Sequence, residues 1–213
     1  MQTTPKKEQT RARILAGAGR SFRSHGYGAG VDSVAKAAGV TSGAFYTYFK
    51  SKAEAFQETV VTGMQELEAG VRQFRAAGES TWIERFVDFY LGQKRTCELT
   101  ESCALQSLTG EVARADVDTR DAYETELRAV IHAAAGGVAA PSEAARRKEA
   151  IVMLALLSGG VSLARAVNDP ALAQEIASAI RSALVRPVRQ APAKSTQPRA
   201  KQRTRSRRKS AKG

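Results

Sequence analysis

The sequence predicts an all-α fold of about nine helices, on three observations. Ala, Glu, Arg and Leu dominate, and apolar residues recur at helical spacing. Runs of β-branched residues and two-residue hairpin turns are absent. The periodic stretches open on Ser, Thr or Asp and close on Gly or Pro, as helices do.

Ile14, Leu15, Ala18 and Phe22 form one stripe and predict a first helix from about Glu8 to Ser24. His25-Gly26 ends it, with Gly26 in the left-handed position after the cap. Asp32 to Ala38 reads as a short second helix with Val34, Ala35 and Ala38 inward, and Gly39 turns the chain. Thr41 or Ser42 caps a third helix reaching Phe49. Ser51 followed by Glu54 has the capping-box spacing and opens a fourth helix to about Ala76, closed by Gly78. Ser80 opens another, bearing Trp82, Phe86, Phe89 and Tyr90. Further helices are expected near 102–114, 119–135, 142–166 and 170–185. Gly136-Gly137, Pro141 and Asp169-Pro170 separate the last three. From 187 onward three prolines, many cations and almost no apolar side chains predict disorder. The expected organisation is 1–52, 53–186 and a basic tail, 187–213.

The formal charge of +12 is uneven. Residues 186–213 hold eleven Lys/Arg and no acid; residues 1–52 carry +7 and residues 53–185 carry −6. Basic ends suit a polyanion such as DNA, and an acidic middle does not. Two cysteines are too few for a secreted disulfide framework. The N-terminus lacks the apolar core of a signal peptide. The apolar tract from Ala150 to Ala164 is interrupted by Ser158, Gly159 and Gly160, and falls short of the ~20 residues of a spanning helix. The expectation is a soluble, cytoplasmic, nucleoid-associated protein with no membrane partner.

The stretch AAGVTSGAFYTYFKSK, 37–52, carries the most information. Two short helices around a Gly turn are the plan of a helix-turn-helix, whose second helix enters the major groove. Ala38, Val40, Phe45 and Phe49 share the inner side, Phe45 and Phe49 as i, i+4 neighbours. Ser42, Gly43, Ala44, Tyr46, Thr47 and Tyr48 then point elsewhere. Gly43 lets the backbone approach a duplex, and the tyrosine hydroxyls and Lys52 are good phosphate donors. The plainer alternative is an amphipathic helix pair inside an all-α domain.

From Arg13 to Phe56 the chain resembles the DNA-binding domain of the TetR family of transcriptional regulators. The shared pattern is Ile-Leu-x-x-Ala, Phe then Gly-Tyr, an Ala-Gly-Val turn, then Gly-x-x-Tyr-x-x-Phe and Lys. Tyr48 stands where the family often has His, and Val31-Asp32-Ser33 where two threonines are common. The resemblance implies that Ser42, Gly43, Ala44 and Thr47 approach base edges. It assigns phosphate contacts to Thr41, Tyr46, Tyr48 and Lys52, with Ser33 from the preceding helix. Small side chains at 42 and 44 imply modest direct readout and some reliance on DNA shape.

The helices of about 142–185 are rich in small and apolar residues and are expected to build a four-helix homodimer interface, as the resemblance also implies. They equally suit helices buried in a monomer. A dimer would dock on a palindromic operator. Trp82, Phe86, Phe89 and Tyr90, with Cys103, Leu105, Leu108, Tyr123 and Leu127, are candidates to line a pocket for an unknown small-molecule effector; aromatics at this spacing also make ordinary core. The stretch 100–120 around Cys103 resembles a subset of the family that senses electrophiles or oxidants through a thiol. A thiol near a helix N-terminus is easier to ionise, but Glu98 and Glu101 oppose that. Arg165 replaces that subset's lysine, and a small structural cysteine fits the residues better.

Catalysis is not expected. Cys103 and His132 are the only nucleophile–base pair available, and no third orienting group, metal cluster or phosphate loop is visible. No cofactor is expected. The tail is either idle or a non-specific DNA arm, and a chromosome-associated protein is the alternative function.

Overall fold

The computed structural model describes residues 5–78 and 81–185. Ser80 and the tail 187–213, for which the sequence suggests a helix start and disorder, lie outside the described residues. Ten α-helices account for most of the described chain: α1 Pro5–His25, α2 Val31–Ala37, α3 Ser42–Tyr48, α4 Lys52–Ala76, α5 Trp82–Phe89, α6 Ala104–Ser107, α7 Thr109–Val112, α8 Val117–Ala135, α9 Glu143–Ala166 and α10 Pro170–Leu184. No strand occurs among the described residues.

The caps explain where the elements start. Thr41 accepts from the Ala44 amide at 3.2 Å and opens α3. Asp116 accepts from the Thr119 amide at 2.8 Å at the head of α8. Ser142 and Asp169 cap α9 and α10, with Pro170 filling the first position of α10, where its missing N–H costs nothing. Ser51 accepts from the Glu54 amide at 3.0 Å. The carboxylate of Glu54 takes the Lys50 amide, one residue before the expected capping-box partner.

Two expectations change. The stretch 102–114 is not one helix: a 3₁₀ turn, Leu99–Glu101, precedes the short α6 and α7, which meet at Leu108. Beyond α5 the chain widens into a π-turn, Tyr90–Lys94, so Tyr90, expected on one helix with Trp82, lies in that turn. Such turns give no periodicity signal, and they recur at functional sites.

The turn between α2 and α3 sets the angle between the two helices. Gly39 has φ +71°, a left-handed conformation that favours glycine. The Gly39 amide bonds Lys36 O at 3.0 Å and the Val40 amide bonds Ala35 O at 3.0 Å. That pair of bonds is a Schellman motif, and it ends α2 while re-aiming the chain into α3. On the other side, α1 approaches α2 so closely that a Cβ on Gly17 would lie 2.3 Å from Ala38 Cα.

The first turns of α4 belong to the same packing unit. Phe56 meets Phe22 edge-on at 5.3 Å and Tyr27 at 5.0 Å. From there α4 runs along α8, and α9 packs between α8 and α10. One apolar core runs from Ile14 through Val60, Met64 and Trp82 to Leu157 and Val161. By length and composition α9 can cross a membrane, longer than its apolar tract suggested, and Met153, Leu154, Leu157 and Val161 on it are buried in that core.

Candidate DNA interface and effector cavity

Phe45 and Phe49 are completely buried, with ring centroids 5.3 Å apart. Burying each contributes about 1.5–3 kcal/mol, enough to hold so short a helix against α1 and α2. The Arg11 guanidinium lies 4.6 Å above the Phe49 ring and is paired with Glu58, which raises its pKa.

With that side anchored, the opposite face of α3 is presented outward. Gly43, Tyr46 and Thr47 are exposed, Tyr46 by half of its surface. Thr41 and Ser33 are exposed, while Ser42, Ala44 and Tyr48 are half-buried. The Thr47 hydroxyl donates to Gly43 O at 3.2 Å, and the Ser42 hydroxyl donates to the Asp32 carboxylate. Both keep acceptor lone pairs for an incoming donor. Lys6, Lys7, Arg13, Arg20, Lys36 and Lys50 are exposed cations on the same N-terminal unit.

A cavity of about 470 Å³ lies between α4, α5, the π-turn and the start of α6. Its apolar wall is Leu67, Phe74, Phe86, Phe89 and Tyr90, with Phe74 5.5 Å from Phe86 and 5.3 Å from Phe89. Its polar wall includes Arg23, Glu66, Arg85, Lys94, Glu101 and Cys103. Its size falls within the range of small-molecule sites.

Residues 14–59 match the family described as bacterial regulatory proteins, tetR family. That match covers the three N-terminal helices and the head of α4. Solved structures share its fold over most of its length. The reduced form of NemR from E. coli superposes with a TM-score of 0.64 at 20% identity, covering 80% of this chain and 95% of that one. A TetR-family regulator from Cytophaga hutchinsonii gives 0.69 at 15% identity, over 86% and 96%. Another from Agrobacterium tumefaciens gives 0.68 at 16%, over 83% and 98%. No curated protein sequence matches the chain. TetR-family regulators are DNA-binding transcriptional repressors, and residues 14–59 of this chain match that family's model.

Against that frame the expected residues separate. Of the DNA candidates, Ser42, Gly43, Ala44, Tyr46, Thr47 and Tyr48 lie on α3, Thr41 is its cap, and Ser33 lies exposed on α2. Lys52 differs. Its ammonium donates to Tyr27 O at 2.8 Å and Ala29 O at 3.1 Å and sits 4.3 Å over the Tyr27 ring. It ties the α1–α2 connection to the head of α4, a task the sequence did not reveal. Asp32, which fixes Ser42, was also unassigned, because its partner is ten residues away.

Of the pocket candidates, Phe86, Phe89, Tyr90 and Cys103 line the cavity. Trp82, Leu108, Tyr123 and Leu127 do not. Trp82 is buried, and its indole donates to Gly137 O at 2.7 Å, pinning the end of α8. Leu108 is core, Tyr123 bonds Thr109 at 2.9 Å, and Leu127 packs half-buried against the core. Arg23 was missed because α1 is distant in sequence from the other lining residues. Burial, with Cys103 and Tyr123 nearby, pushes the Tyr90 phenol well above its ordinary pKa.

Arg165 does not serve Cys103. It donates to Arg95 O at 3.0 Å and to Cys97 O at 2.8 and 2.6 Å. Cys103 is half-buried and precedes the four-residue α6. His132 is exposed on α8 and does not line the cavity.

Proposed function

We propose that the chain is a homodimeric repressor that holds a palindromic operator and releases it when a small molecule fills the cavity. The carrying observation is the division of α3: Phe45 and Phe49 are buried, while Gly43, Tyr46 and Thr47 face outward. A helix held from one side and open on the other can enter a major groove without unfolding anything. Ser42, Gly43, Ala44 and Thr47 meet base edges; Thr41, Tyr46, Tyr48 and Ser33 meet phosphates.

The second half-site needs a second copy. On α9, Val152, Ala155, Gly159, Leu163 and Ala166 form an exposed stripe, and Leu172, Ala179 and Ala183 continue it on α10. Leu163 is 61% exposed and Leu172 41%. The inner face of α9 is already buried in the core, so this outer stripe is a surplus apolar surface suited to a partner. Small residues along it permit close helix approach.

A footprint of the purified protein on DNA upstream of its own gene tests the reading. Two protected half-sites related by a dyad are expected. Protection lacking symmetry, or unchanged by Thr47→Arg, would refute it. Cys103 lines the cavity and is a candidate for electrophile sensing there; an unmodified thiol after mild quinone treatment removes that role.

A further inference from the structure

Arg23 has an unusual electrostatic position. Its side chain is only 14% exposed, and its one ionic partner, Glu66, lies 3.7 Å away and is 69% exposed. The guanidinium makes no hydrogen bond among the described residues, and its Nε is fully buried without a partner. A buried cation left in this state is costly, because its desolvation is not offset. Room for it comes from two glycines: a Cβ on Gly19 would lie 3.3 Å from Arg23 Nη1, and one on Gly63 3.1 Å from Nη2. The side chain therefore lies where the last turn of α1 meets α4, and it lines the cavity.

The other charged groups of the cavity are less available. Lys94 donates to Glu101 O at 3.0 Å and Arg85 to Ala77 O at 3.0 Å. Glu66 and Glu101 are the two carboxylates, against three cations. Tyr90 lines the same space. The Tyr90 hydroxyl is buried with no partner at bonding distance among the described residues. Cys103 is its polar neighbour, and that contact helps to raise the phenol's pKa. Beyond these groups the wall is the ring cluster of Phe74, Phe86 and Phe89.

We propose that the cavity's effector is an amphipathic carboxylate with an aromatic body. Its rings lie on the phenylalanines, and its carboxylate is bound by Arg23 with help from the Tyr90 hydroxyl. This rests on the effector reading of the cavity given above. Arg23 belongs to α1, the helix that holds α2 through Gly17, so the ligand's charge acts directly on the DNA-binding unit. An acid that pairs with Arg23 competes with Glu66 of α4 for the guanidinium, which a neutral ligand of the same shape does not.

Calorimetric titration of the full chain with phenylbutyrate and with phenylbutanol tests it. The acid should bind about tenfold more tightly than the alcohol, since only a charged acceptor satisfies the guanidinium. Arg23→Met should bring the acid down to the alcohol's affinity and leave the alcohol unchanged, and Arg23→Lys should restore part of the preference. Only the acid should lower DNA affinity in a mobility shift. Equal affinities for acid and alcohol in the wild-type protein, or binding of neither, overturn the inference; that comparison needs no variant to fold. The unliganded mobility shift separates the two claims. Dyad-symmetric DNA binding without acid preference sinks only the ligand class, and absence of specific DNA binding sinks the regulator reading.

Discussion

Replacing Gly17 by alanine should destabilise the DNA-binding unit although alanine is the better helix former. In an exposed helix interior the change gains about 1 kcal/mol. Here the new Cβ would lie 2.3 Å from Ala38 Cα and 2.8 Å from Ala37 O, both backbone atoms at the end of α2. Ordinary contact needs more than an ångström of further separation, and backbone cannot rotate away as a side chain can. Overpacking of this kind costs about 1–3 kcal/mol and more when backbone must move, so the net loss is about 1–2 kcal/mol. For a chain of this size that is a fall in Tm of about 2–8 °C. The strain falls on the helix that carries α3 through the Gly39 turn, so operator affinity should drop as well. Gly70→Ala is the control: nothing lies within 4 Å of its Cβ, and it should raise Tm slightly. Differential scanning calorimetry and mobility shift on both variants decide it. If Gly17→Ala behaved like Gly70→Ala in both assays, the close approach of α1 to α2 would be refuted.

Gly43→Ala should leave Tm unchanged or higher, because no atom lies within 4 Å of the new Cβ, yet weaken operator binding by filling the space a duplex needs; mobility shift paired with calorimetry checks both halves. Lys52→Met should lower Tm along with DNA affinity, because it removes the bonds to Tyr27 and Ala29; thermal melts separate this from loss of a phosphate contact alone. Leu163→Glu puts a charge in the centre of the outer stripe of α9 and should yield monomers in analytical ultracentrifugation, with stability of the monomer fold retained. Asp116 is held below its ordinary pKa, chiefly by the Thr119 amide. Its contribution to stability is therefore present above the unfolded value, about 4, and is lost as pH falls through the lower folded value. Asp116→Asn should flatten that part of the acid-unfolding curve.

The sequence by itself determined what local chemistry can determine. Caps at Thr41 and Ser51, the Gly39 turn and the 3.6-residue stripes depend on residues within a few positions of one another, so they are legible in order along the chain. The same holds for the division of the α3 aromatics, because Phe45 and Phe49 are i, i+4 neighbours. Tertiary structure decided everything that joins distant segments. The ammonium of Lys52 meets carbonyls 25 and 23 residues earlier, a structural task beside the expected phosphate contact. Trp82 left the pocket for Gly137, 55 residues on, and Arg165 went to Cys97 rather than Cys103. Arg23 entered the cavity from a helix the sequence placed wholly in the DNA-binding unit. A side chain's partner in such cases is fixed by how helices cross. That crossing depends on a few points of contact, such as Gly17 against Ala38, and periodicity does not encode it.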